Sequence, residues 1–210
     1  MRTWDMSDPK AALMTRKRDA IVDAALTAFL RDGYEGSSVN RIAEEAGVSI
    51  KTLYRHFESK DDLFVAVIRA ACAAAMDAPE PAWLGLAPLE GLAQAASEHL
   101  PFVLEPEQLA LYRVVTHESA KFPQLGLRYR EHIIGERVER LCRFFASWPE
   151  PLRSRIGDPT EVARAFIALA EADYVTGALL GATTPGVEEL RAHAVRAARR
   201  MMVIINADLA

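Results

Sequence analysis

An all-α fold is predicted by three features of this 210-residue chain. Apolar residues recur at i, i+3, i+4 and i+7, alternation of β-branched residues is nearly absent, and proline, glycine and capping residues cut the chain into helix-length pieces. Half of the residues are hydrophobic, enough for a well-buried core. The organisation expected is a short basic arm over residues 1–17, a three-helix unit over 18–64, and a larger helical region over 65–210.

The arm is read from composition. Residues 9–18, PKAALMTRKR, hold four basic side chains and no acid. They can follow a nucleic-acid backbone or enter a minor groove; for residues 2–10 an ordinary solvated tail is an equal reading. The first helix follows, with Ile21, Ala24, Ala25, Ala28 and Phe29 inward and Gly33 closing it.

Residues 37–60, SSVNRIAEEAGVSIKTLYRHFESK, then read as a helix-turn-helix. Val39, Ile42, Ala43 and Ala46 make one face of a short helix capped by Ser37 or Ser38. Gly47 takes the positive φ at which the chain leaves that helix, and Val48 folds back on it. Ser49 caps a second helix, with Leu53 and Phe57 inward and Ile50, Lys51, Thr52, Tyr54 and Arg55 on or beside the outward face. Such a surface suits a major groove. Ser59 caps a third helix whose Asp61 and Asp62 complement the positive end of its dipole. That helix continues through Leu63, Val67 and Ala70 to the break at Pro79-Glu80-Pro81, and its tilt is a candidate lever between the two regions.

Five more helices are expected beyond the break: 88–99, stopped by Pro101; 106–120, ending before Phe122-Pro123; 124–148, with Leu127, Ile134, Leu141 and Trp148 seven residues apart; 158–181, capped by Asp158 with Pro159 first; and 184–206, with Thr184 as cap and Pro185 first. The fourth is apolar around nearly its whole circumference and must be buried on more than one side. With the stripe Val187, Leu190, Ala194, Ala197, Met201 and Ile205 of the last helix it makes a natural dimer surface, two helices from each subunit forming a four-helix bundle. Ala163, Ala170, Gly177, Ala178 and Gly181 would allow close approach there or within one chain.

The region from about residue 18 to 68 resembles the DNA-binding domain of the TetR/AcrR family of bacterial transcriptional regulators. The resemblance rests on Phe29-Leu30 through Gly33-Tyr34, Ile42-Ala43, Ala46-Gly47-Val48-Ser49, Thr52-Leu53-Tyr54, His56-Phe57 and Ser59-Lys60 followed by Leu63. Residues 109–148 are similar, less specifically, to the C-terminal domains of an AefR-like branch. The resemblance implies a homodimer with an N-terminal DNA reader and a C-terminal domain for dimerisation and effector binding. By family position, Ser38, Ser49, Tyr54, His56 and Lys60 resemble phosphate contacts, and Asn40, Ile50, Lys51 and Thr52 resemble residues facing base edges. Their chemistry is compatible with both roles. The alternative for Tyr54 and His56 is packing beside the core, and for Arg41 and Arg55 a solvated role. The chain departs from the commonest family pattern at Lys51, where a small residue is usual, and at Ile50, so base preference does not carry over.

An effector pocket is implied between the C-terminal helices. Candidates for its lining are Trp83, Phe102, Leu109, Tyr112, Val115, His117, Phe122, Trp148, Phe166, Leu169 and Tyr174, about half of which are expected to be plain core. Glu171 and Asp173 are the odd residues of their apolar helix. Each should meet a cation or a hydroxyl, or stay at an edge; the alternative is that one of them, with Glu171 the candidate, faces a pocket and binds a cationic or hydroxylated effector.

Net charge is −4, but its distribution matters more: residues 1–60 carry ten basic and nine acidic side chains, and the remaining 150 residues carry 15 against 20. Phosphate-driven affinity that falls with salt is expected. The N-terminus has no apolar signal region and no stretch suits a membrane span, so a cytoplasmic protein is expected. Cys72 and Cys142 read as free thiols. No nucleophile, phosphate-loop or metal motif is present and His56, His99, His117, His132 and His193 are scattered, so no catalytic residue, cofactor or metal is expected. The function expected is a homodimeric repressor released from a palindromic double-stranded operator by a small hydrophobic effector. Alternatives are an activator or ligand-independent regulator of the same fold, or a helical small-molecule-binding protein or enzyme.

Overall fold

The computed structural model describes residues 9–76 and 80–207, and among them every regular element is helical. The chain divides into two compact units: one takes residues up to Ala73 together with Leu111–Arg130, the other Ala74–Ala110 with Glu131–Ala210. The first unit is thus discontinuous in sequence.

In the first unit, α1 (Pro9–Gly36) carries Ile21, Val22, Ala25, Ala28 and Phe29 on its buried face. Residues 9–17, expected as a loose arm, are the opening turns of this helix; residues 1–8 lie outside the described set. PKAALMTRKR contains no internal proline or glycine, and its alanines, leucine and long basic side chains all favour helix. Gly33, at φ 73°, breaks α1 before its final turn. Then come α2 (Val39–Glu45), α3 (Ile50–His56) and α4 (Lys60–Met76). Ser38 is the N-cap residue of α2 but makes no side-chain cap bond, while buried Ser37 donates to the Tyr34 carbonyl at 2.8 Å. Ile42, Leu53, Phe57, Leu63, Phe64 and Val67 complete the core with α1. Leu111 and Val115 of α6 (Pro106–Glu118) and Leu125 of α7 (Pro123–Tyr129) are buried in the same unit. Its aromatic centre stacks edge to face: Tyr34 lies 5.2 Å from Phe64 and 5.1 Å from Phe122, centroid to centroid.

In the second unit, α5 (Pro88–Val103) passes through Pro101 instead of stopping before it. The proline sits in the last turn, where it removes one donor only, and Leu104 N–H still bonds the Leu100 carbonyl at 3.2 Å. The expected continuous helix over 124–148 is interrupted: a π-helical turn at Arg130–Ile134 separates α7 from α8 (Gly135–Ala146). On one side of that turn Leu127 is 56 % exposed, and on the other Leu141 and Trp148 are buried. Next, α9 (Pro159–Leu179) begins at its Asp158 cap, which accepts from Thr160 N–H at 2.8 Å. The last helix, α10 (Val187–Asn206), opens at Gly186 rather than at Thr184-Pro185; the proline stands before the cap, where no N–H is required.

Helix α10 packs most extensively on α5, and the core joins α5, α8, α9 and α10. Leu190, Ala194, Ala197, Met201 and Ile205 face this core, so five of the six residues expected to form a dimer surface are buried within the chain. Their spacing is that of any core-facing stripe and carries no mark of which partner it meets. Gly91 is a close approach of α5 to α8: a Cβ there would stand 2.2 Å from the Phe144 ring.

Candidate nucleic-acid interface

The corner between α2 and α3 is closed by two backbone bonds, Gly47 N–H to the Glu44 carbonyl at 3.0 Å and Val48 N–H to the Ala43 carbonyl at 2.9 Å, with Gly47 at φ 65°. This is the Schellman arrangement, and it needs a residue at ease in the left-handed region. Ser49 then accepts from Thr52 N–H at 3.1 Å and shares a 2.9 Å hydroxyl contact with Thr52 Oγ1. These local bonds set the direction in which α3 presents its side chains.

Ser38, Asn40, Arg41, Ser49, Ile50, Lys51, Tyr54 and Arg55 are all exposed, with Ile50 at 38 % and Tyr54 at 52 %. Thr52, His56 and Lys60 are half-buried. Hydroxyl, amide, ammonium, guanidinium and apolar groups are therefore all exposed on α2, α3 and the residues that cap them. Two of the arginines already have company. Arg41 approaches Asp32 and Glu45 at 3.9 and 3.8 Å, beside an Arg31 that binds the same two carboxylates at 2.8 and 3.1 Å; Arg55 reaches Met14 Sδ at 3.2 Å.

Lys60 is turned inward. Its ammonium donates to the Ser37 carbonyl at 2.6 Å and lies 4.6 Å from the Tyr34 ring centroid, and burial holds its pKa below the ordinary lysine value. Burial, with Arg55, Arg18 and Lys17 nearby, likewise lowers His56, whose Nε2 is buried without a hydrogen-bond partner. Behind this surface, Glu118 of α6 is 5 % exposed and accepts from the N–H groups of Tyr34 and Glu35 at 3.0 and 3.3 Å. The break at Gly33 frees these donors and Glu118 receives them. Only Gly33 marked the place in the sequence, and nothing marked its partner 84 residues away.

The second unit contains a cavity of about 560 Å³ between Trp83, α5, α8 and α9. Trp83, Phe102, Leu141, Phe166 and Ile167 supply apolar walls, and Glu80, Glu98, His99, Arg137 and Arg140 supply the polar lining. Of the sequence candidates, Trp83, Phe102 and Phe166 line it. Leu109 and Trp148 belong to the surrounding core and Leu169 packs against that core; Tyr112, Val115, His117 and Phe122 belong to the first unit, where Tyr112 meets Tyr129 and Phe122 meets Tyr34. Tyr174 stacks on His193 at 4.6 Å and bonds Glu189.

Glu171 stands beside the cavity rather than in its lining. Its Oε1 lies 2.8 Å from His99 Nε2 and 3.9 Å from Arg137 Nη1. Burial alone would raise its carboxyl, but the His99 hydrogen bond and Arg137 bring it below the ordinary value. Burial lowers the His99 imidazole despite the pull of Glu171, so the neutral ring is favoured. Asp173 is exposed. His99 and Arg137 were not singled out from sequence, because helical periodicity cannot show which distant carboxylate a polar residue will meet.

Cys142 is a free, half-buried thiol, and the Cys72 side chain lies outside the described residues. Among the described residues no three His, Cys, Asp or Glu side chains are placed to hold a metal, and no helix is long and apolar enough to cross a membrane.

Comparison with known proteins agrees with this geometry. The regulator TcmR of Streptomyces glaucescens is 37 % identical over 139 residues, 64 % of this chain and 61 % of its own length. The repressor AcnR of Corynebacterium efficiens is 24 % identical over 176 residues, 82 % of this chain and 87 % of its own. The solved structure of the flavonoid-responsive regulator FrrA superposes with a TM-score of 0.75 at 29 % identity, covering 90 % of this chain and 97 % of FrrA. Residues 21–67 match the family of bacterial regulatory proteins of the tetR type, and residues 90–205 match the C-terminal domain of AefR-like transcriptional repressors. The chain belongs to the TetR family of DNA-binding transcriptional regulators, with a C-terminal domain of the AefR-like kind.

Proposed function

We propose that the protein is a cytoplasmic homodimeric repressor that binds a palindromic double-stranded operator and is released by a small hydrophobic effector. The observation that carries this reading is one chain holding both an exposed helix-turn-helix surface and a largely apolar cavity in a separate unit. Three helical segments cross the division between the units: α4, α6 and the α7–α8 run. A ligand that favours one arrangement of the second unit can therefore bias the first through continuous helices, provided it binds the two states unequally.

Dimerisation through the last two helices is supported by exposed Val187, Val195, Val203 and Ile204 of α10 and by exposed Leu180 just past the end of α9. A repressor role is supported by the name of AcnR, and response to a small molecule by that of FrrA. Ser38, Ser49, Tyr54 and the exposed cations would hold phosphates while Asn40, Ile50, Lys51 and Thr52 meet bases. His56 and Lys60, half-buried, would act at the edge of that contact.

Footprinting of the gene's own upstream region, followed by sedimentation of the complex, tests the reading. Two protected half-sites about one DNA turn apart and a complex of two chains are expected. A single protected half-site bound by one chain would refute the dimer.

A further inference from the structure

We infer that the cavity takes a neutral aromatic compound bearing a phenolic hydroxyl, which donates to His99 Nδ1 and accepts from the Arg137 guanidinium. The inference rests on reading the cavity as the effector site, and adds to it the class of ligand.

The apolar walls define the body of the ligand. Trp83, Phe102 and Phe166 offer aromatic surfaces in a volume of about 560 Å³, inside the range of roughly 300–1,000 Å³ usual for small-molecule sites. The Arg137 guanidinium carbon lies 5.8 Å from the Phe102 ring centroid, so a flat ring entering beside Phe102 reaches the guanidinium edge. The polar group of the ligand is set by what Glu171 leaves. Glu171 occupies His99 Nε2, and Nδ1 is the ring atom remaining for an occupant of the cavity. With burial favouring the neutral ring, Nε2–H donates to Glu171 and Nδ1 offers a lone pair. Arg137 supplies only donors. One acceptor and one donor side by side match a single oxygen that both donates and accepts.

Other ligand classes fit less well. The lining holds Arg137 and Arg140 together with Glu80 and Glu98, and Glu171 stands 3.9 Å from Arg137, so the cavity and its buttress have no surplus of positive charge for a carboxylate. A hydrocarbon would offer nothing to His99 Nδ1 or to the Arg137 donors that Glu171 does not engage, and would cover them all the same. Immediately after Glu171, Ala172 is held at φ 34°, a strained conformation for a residue with a Cβ, and it interrupts α9 at the carboxylate that fixes both groups.

The test is calorimetric titration of the full chain with para-phenylphenol, para-methoxybiphenyl and para-phenylbenzoate. The phenol should bind at least about tenfold more tightly than either, since the ether cannot donate and the benzoate brings an unmatched charge. In His99→Phe the phenol should fall to the level of the ether; in Arg137→Met both should weaken together. If one variant does not fold, the other still separates donor from acceptor. Tighter binding of the benzoate, equal binding of phenol and ether, or no binding by any of the three overturns the assignment. Operator release is measured in parallel. Tight phenol binding with the operator retained keeps the ligand class and removes the effector role; release by some other compound where the phenol does not bind keeps the effector role and removes this ligand class.

Discussion

The two units specify their polar chemistry in opposite ways. In the helix-turn-helix most of the candidate side chains are exposed, and the corner that aims them is set by bonds between residues at most five apart, such as Ser49 to Thr52 and Val48 to Ala43, although Lys60 turns inward to Ser37. In the second unit the polar residues point inward, and their partners are distant: His99 and Glu171 are 72 residues apart. A surface reader must match a repeating backbone, whereas a pocket shields its polar groups from part of the water, and a shielded polar group requires a partner wherever the chain can supply one.

Substitutions that strike each unit's own kind of specification should break the contrast first. Phe144→Ala empties a fully buried ring that meets Trp83 and Trp148 edge to face, and should cost about 3–5 kcal/mol in chemical unfolding followed at those tryptophans. Glu118→Ala strands the amides of Tyr34 and Glu35 and should cost about 1–3 kcal/mol. Glu118→Gln, which keeps an acceptor, should recover much of that loss. At Gly47 a Cβ meets no atom within 4 Å, so Gly47→Ala should cost only the backbone term, about 1–2 kcal/mol in thermal melting, and Gly47→Asn less. Crowding is thereby separated from conformation.

Smaller effects sharpen the comparison. Lys51→Ala should weaken operator binding and reduce the salt slope by about one if Lys51 meets a phosphate, or relax base preference at one position if it meets a base. Acidification should act on the second unit through His99. Because burial lowers its pKa from the ordinary 6.5, protonation is easier in the unfolded chain, so its contribution is present above that value and lost as pH falls through the folded one. The melting temperature of His99→Gln should accordingly change less than that of the parent chain between neutral and mildly acidic pH.

The same contrast explains what could be read from the amino-acid sequence. The helix-turn-helix was legible because Gly47, Ser49, Leu53 and Phe57 act on near neighbours, and local spacing reports local structure. Helix α9 and its Asp158 cap were legible for the same reason. The helical start of α1 over 9–17 is not legible in the sequence, because a cluster of basic residues is compatible with a solvated tail as well as with helix. The α10 stripe was assigned to a partner because periodicity shows that a face is buried, without showing against what. The π-helical turn at Arg130–Ile134 shifts the register by one residue with no glycine or proline inside it, and Gly135 directly after it does not by itself tell a π turn from ordinary helix. In the cavity, Trp83, Phe102 and Phe166 were found as large apolar residues, while His99 and Arg137 became visible only once the chain had brought Glu171 to them.

The central claim is that the exposed face of α2 and α3 reads a defined DNA sequence. Its most direct test is binding of the purified protein to a fluorescent fragment of its own upstream DNA, against scrambled competitor, at near-physiological salt. A specificity ratio of about 10³ or more is predicted for an autoregulatory operator; a ratio near one would contradict sequence-specific reading at that promoter and leave only charge-driven binding.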